Sequence, residues 1–130
     1  MLISLSLIVI LGALAVWNPN HAEPTAAPAK LLRHVVLFKF KADATAEQIK
    51  AVEAGFAMLP KKIDAIHSFE WGTNNSPEGL DQGYTHCFLV TFRTESDRDA
   101  YLPHPEHKKF VEVLRPILDE AHVMDYWTQQ

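Results

Sequence analysis

Cysteine occurs once in this chain of 130 residues, as Cys87, so no internal disulfide can form and Cys-rich zinc modules are excluded. Glycine is scarce too, with five residues and no glycine-rich phosphate loop, which removes dinucleotide-binding folds. No ionisable side chain precedes His21 and no formal charge precedes Glu23. The 12 basic and 16 acidic residues therefore lie downstream and leave a net charge of −4. That balance does not suit a domain living on phosphate backbones, which needs clustered Lys and Arg, so nucleic acid is not an expected partner. No Ser-His-Asp order is present. The length sets one domain, large enough to bury a core without covalent staples.

What the N-terminus has instead is apolar surface. Of the first 17 residues, 14 are apolar, interrupted only by Ser4, Ser6 and Gly12. As a helix the run reaches about 25 Å, slightly short of a bilayer core of about 30 Å. It reads as a secretory signal, residues 1–22, with a membrane anchor formed by residues 2–17 as the alternative. Ala13-Leu14-Ala15 satisfies the small-x-small rule, and a cut after Ala22 is the second option. No cysteine follows the run, which excludes a lipoprotein anchor. The expected location is outside the cytoplasm, periplasmic or secreted, with membrane contact only through an uncleaved segment. The proline-bearing stretch from Asn18 to Ala29 is a tether, giving a linker at 23–30 and a domain at 31–130.

Within the domain the periodicities alternate between strand and helix. Arg33 to Lys41 is a strand with His34, Val36, Phe38 and Phe40 on one face and Val35, Leu37 and Lys39 on the other. Thr45-x-x-Gln48 is a capping box that opens a helix carrying Ile49, Val52, Phe56 and Leu59 on one stripe, ended by Pro60. Ile63 to Trp71 alternates as a strand. Gly72 to Gly83 is turn chemistry. Tyr84 to Arg93 is the third strand, and Cys87 on it reads as an inert buried thiol. Ser96-x-x-Asp99 opens a short helix that Pro103 closes. Pro105 starts another, capped by His104 and running to about Asp119, with His107, Phe110, Leu114 and Ile117 on its inner stripe. Ala121 to Trp127 is the last strand. The order β-α-β twice over defines an α+β, ferredoxin-like βαββαβ protomer with a four-stranded antiparallel sheet. Both helical layers cover one sheet face. The other face, with Val35, Leu37, Ile66, Leu89 and Met124, calls for a second copy of the chain, packed sheet to sheet.

Seven histidines are many for this length. His34 and His86 share strand faces with Phe and Val side chains, while Tyr101, His104 and His107 come from the helix corner. A pocket with imidazoles, one phenol and aromatic walls that include Phe56 and Trp71 follows from that arrangement. Imidazole moves protons near neutral pH, and a phenol donates to a carbonyl or developing enolate. Tyr101 and His107 are therefore the candidate catalytic pair. His34, His86, His104, Phe56 and Trp71 are candidate ligand contacts. His104-x-x-His107 lacks a carboxylate or cysteine at a spacing that completes a metal site, and neither metal nor cofactor is expected.

These residues carry a resemblance. HVVLFKF at His34 to Phe40, EWG at Glu70 to Gly72, GYTH at Gly83 to His86, YLPHPEH at Tyr101 to His107 and DYW at Asp125 to Trp127 occur in order across nearly the whole domain. The set resembles the stress-responsive A/B barrel domain (Dabb) family, of dimeric α+β barrel architecture. The resemblance implies a ferredoxin-like protomer and a homodimer whose sheets form a barrel. One branch of that family comprises plant polyketide cyclases of the olivetolic acid type, which close a linear chain by aldol condensation. The Tyr and His they use match Tyr101 and His107, and His34 and His86 match histidines beside their pocket. This chain departs from them in its export signal and in Phe56, which stands where they carry tyrosine. The leading expectation is an exported homodimer that binds a small apolar or carbonyl compound, or serves in a stress response. The alternatives are an acid/base lyase or cyclase on a small carbonyl substrate, and a monooxygenase on the same barrel.

Overall fold

The computed structural model describes residues 29–129, so the N-terminal segment expected as a signal or anchor lies outside the described residues. The elements are β1 (Leu32–Phe40), α1 (Ala46–Lys62), β2 (Ser68–Thr73), β3 (His86–Phe92), α2 (Glu95–Tyr101), α3 (Pro105–Leu114) and β4 (Leu118–Trp127). The four strands pair antiparallel in the order β2-β3-β1-β4, the ferredoxin-like arrangement expected from the sequence. Among the described residues no helix is long and apolar enough to cross a membrane.

Strand alternation decides what is buried. Leu32, His34, Val36 and Phe38 of β1 face the helices and are buried, while Arg33, Val35, Leu37 and Lys39 point the other way. Across β3 the helix-facing set is His86, Phe88, Val90 and Phe92. Onto it α1 lays Val52, Phe56 and Leu59, and α3 adds Phe110 and Leu114. Phe56 is the pivot of this core, with its ring 4.5 Å from both Phe88 and Phe110. Truncating a ring packed this way costs about 3–5 kcal/mol.

Several boundaries differ from the sequence reading, each for a local reason. The Thr45–Gln48 capping box is present in full, but α1 runs through Pro60 to Lys62. The proline sits in the last turn, where the Ile63 amide still closes on the Leu59 carbonyl at 2.9 Å. The strand expected from Ile63 begins only at Ser68. Ile63 caps α1, and Ile66 is buried in the core, so Ile66 does not belong to the uncovered face. Helix α2 is capped by Thr94 rather than Ser96. Thr94 Oγ1 accepts from the Asp97 amide at 3.0 Å while Asp97 returns a carboxylate oxygen to the Thr94 amide at 3.2 Å. Helix α3 stops at Leu114, short of Asp119, because Pro116 cannot continue it, and β4 starts early at Leu118.

Among the described residues no helix covers the second sheet face. Its rows read Gly72–Cys87–Leu37–His122, then Glu70–Leu89–Val35–Met124, then Ser68–Thr91–Arg33–Tyr126, from edge to edge. Cys87 is exposed on this face rather than buried as its strand position suggested. Partial desolvation, followed by the nearby Glu70 carboxylate, pushes its thiol pKa up.

Candidate active site

The turn between α2 and α3 brings the acid–base candidates together. Tyr101 is the last residue of α2, and His104 caps α3 by accepting the Glu106 amide on Nδ1 at 3.2 Å. Pro105 then fixes the first turn, and one turn on His107 points back at Tyr101. The two rings lie 4.3 Å apart. From the sheet, His34 approaches the same phenol edge-on at 6.0 Å. A half-open cavity of about 600 Å³ is bounded by these three residues together with Phe38, Phe56, Phe110 and Leu114. Its polar groups gather under the corner and its far walls are apolar.

Each polar group there is held in a defined state. His107 Nδ1 donates to the Leu102 carbonyl at 2.9 Å, because a carbonyl can only accept. Nε2 is therefore left with the lone pair. Desolvation pushes the His107 pKa below its ordinary value, helped by the neighbouring His34 and His104, against a smaller upward pull from Leu102. The ring is neutral at pH 7 and able to take a proton. The Tyr101 hydroxyl is buried with no hydrogen-bond partner among the described residues, and burial raises its pKa, so it stays a protonated donor. His34 Nδ1 donates to Asp125 Oδ1 at 2.7 Å, and Arg98 Nη1 donates to Asp125 Oδ2 at 3.0 Å.

Of the ligand contacts expected from sequence, His34 and Phe56 line this cavity and His86, His104 and Trp71 do not. His86 is held elsewhere, with Nε2 3.0 Å from Glu53 and Nδ1 2.8 Å from Thr85 Oγ1. It stacks nearly parallel to Trp71 and borders a separate hollow of about 750 Å³ beside the β2–β3 loop. His104 spends its ring nitrogen on the helix cap. Sequence reasoning missed Asp125, Arg98 and Asp99, all of which line the cavity. Asp125 was findable: it lies directly across from His34 and occupies an alternating slot between Val123 and Trp127. Arg98 precedes Tyr101 by three residues and so shares its helix face.

Fold and site together define a ferredoxin-like protein with a cavity beneath its helix corner, lined by one phenol and two imidazoles. The chain belongs to the stress-responsive A/B barrel domain family, whose pattern matches residues 32–128. It is 37% identical over 95 residues to a stress-response A/B barrel domain-containing protein of Arabidopsis thaliana, covering 73% of this chain and 87% of the relative. It is 28% identical over 95 residues to olivetolic acid cyclase of Cannabis sativa, covering 73% of this chain and 94% of the cyclase. A solved dimeric protein of ferredoxin-like fold from Bacteroides fragilis superposes with a TM-score of 0.63 at 27% identity, covering 75% of this chain and 96% of that one.

Proposed function

We propose that the protein is an exported homodimer that binds a small, largely apolar carbonyl compound in the cavity beneath α2 and α3. The observation that carries the binding reading is the Tyr101 hydroxyl, buried beside the cavity without a partner. An unpaired buried hydroxyl costs about 1–3 kcal/mol, and a ligand oxygen that reaches the phenol from the cavity recovers it. The apolar walls supply the remaining affinity and the hydroxyl fixes orientation. Dimerisation rests on the uncovered face and on the dimeric Bacteroides fragilis neighbour. Export rests on the apolar N-terminal run.

A second reading, turnover, is favoured by the state of His107. A neutral imidazole whose Nδ1–H is fixed by Leu102 presents Nε2 as a base. In that chemistry a C–H bond alpha to the carbonyl breaks and its proton passes to Nε2. The electron pair moves onto the carbonyl oxygen, where the Tyr101 hydroxyl steadies the enolate. The similarity to olivetolic acid cyclase supports it.

Titrating the protein with hexanophenone tests the binding reading. Heat of binding that weakens about fivefold in Tyr101→Phe is expected, and no binding refutes it. Solvent-deuterium exchange at the ketone's alpha carbon, followed by NMR, tests turnover. Exchange lost in His107→Gln supports it, and no exchange above buffer leaves binding alone. Fractionation of cells with N-terminal sequencing tests export, which cytoplasmic protein retaining Met1 and touching no membrane rules out.

A further inference from the structure

The charged groups at the cavity are few and already paired. Of the residues lining it, only Arg98, Asp99 and Asp125 carry formal charge apart from the histidines. Arg98 spends Nη1 on Asp125 at 3.0 Å and directs Nε and Nη2 to Asp99 Oδ1, each at 3.3 Å. One cation thus faces two carboxylates. Of the two guanidinium edges that can grip a carboxylate in a fork, Asp99 occupies the Nε–Nη2 edge and Asp125 takes Nη1 of the other.

We infer that Arg98 and Asp99 set the charge selectivity of the cavity: it admits an uncharged ketone, ester or amide head and rejects the carboxylate of the same skeleton. The inference rests on the cavity being a small-molecule site. An anion entering here meets no free cation, must displace Asp99 from Arg98, and feels the surplus carboxylate. An unpaired unit charge a few ångströms away at a protein surface changes affinity by about tenfold. A neutral carbonyl meets none of these penalties and still accepts from Tyr101. Asp99 is the determinant that can be altered safely, since its side chain is 66% exposed and it anchors nothing in the core.

Octanamide and octanoate are nearly isosteric and differ by one charge. Their dissociation constants are measured on the full chain at pH 8, above the ordinary imidazole range. Octanamide binding about tenfold tighter than octanoate is expected, and Asp99→Asn should reduce that preference to about threefold or less. Arg98→Gln should enlarge it by removing the one Lys or Arg among the described residues that line the cavity. Octanoate binding as tightly as octanamide to the unaltered protein overturns the inference, as does a preference that Asp99→Asn leaves unchanged. If neither compound binds, the cavity reading itself falls, and the inference with it.

Discussion

The Nδ1 of His107 donates to the carbonyl oxygen of Leu102 at 2.9 Å, across the turn that joins α2 to α3. That bond fixes the tautomer before any ligand arrives. Desolvation decides the charge, against the smaller upward pull of that bond. The folded-state pKa lies below the unfolded value of 6.5, so the unfolded chain takes up this proton first as pH falls. His107 therefore destabilises the fold increasingly from about pH 6.5 downward to its own titration, and contributes no such penalty above it. NMR titration of the ring should give a midpoint below 6.5, with the Nδ1–H tautomer above it. A midpoint at or above 6.5 would contradict the desolvated, neutral base.

Tyr101→Phe should stabilise the unliganded protein by about 1 kcal/mol in urea denaturation, because it removes a buried hydroxyl that has no partner. The ring keeps its contacts with Phe92 and His107. Destabilisation instead would mean that the hydroxyl has a partner in solution.

Leu37 and Leu89 lie on the uncovered sheet face, in neighbouring rows. Placing a carboxylate at either position should split the proposed dimer, since the charge would be buried without a partner. Light scattering of residues 30–130 at micromolar concentration should report about twice the monomer mass, and Leu37→Glu or Leu89→Glu about the monomer mass. A monomeric parent protein would remove the sheet-to-sheet arrangement.

Glu106 ties two helices together at the corner, bonding Lys109 at 2.7 Å and Lys62 of α1 at 2.9 Å. Those two ammonium groups, Lys109 first, hold its carboxyl down to about 2 from an ordinary 4.5. Its contribution to stability is present above pH 4.5 and is lost as pH falls toward 2. The difference in melting temperature between the parent and Glu106→Gln should shrink across that window and stay constant above it. A difference independent of pH would show that the charge is not what acts.

The fold was legible where sequence period and burial coincide. β1 and the apolar stripes of α1 and α3 are written in steps of two and of three or four, and the capping box at Thr45 marks its helix without tertiary help. Ile63 to Trp71 misled because Ile63, Ala65, His67, Phe69 and Trp71 alternate in sequence, whereas Ile63 and Ile66, three apart, are both buried as anchors of the turn that follows α1. In the site, the corner residues were legible because a helix start fixes their spacing. His86 was not separable from His34 by sequence, since both are helix-facing strand histidines. Which one reaches Tyr101 depends on where along the sheet α2 and α3 cross, and Tyr101 lands against Phe92 and His34 at the end of the sheet away from His86. Arg98 was hidden for a related reason: its partner Asp125 is 27 residues away on β4, and only the packing of α2 onto the sheet brings them together.

Tyr101, Leu102, His104, Pro105 and His107 come from seven consecutive residues. The phenol, the base, the carbonyl that sets its tautomer and the cap that starts its helix are thus inherited as one short word of sequence. The apolar walls that shape the cavity, Phe38, Phe56 and the face of β4, come from elements distant along the chain, whereas Arg98 and Asp99 stand just before Tyr101 on α2. Changes at Phe56 or on the face of β4 can therefore reshape the cavity without touching the segment that carries Tyr101 and His107.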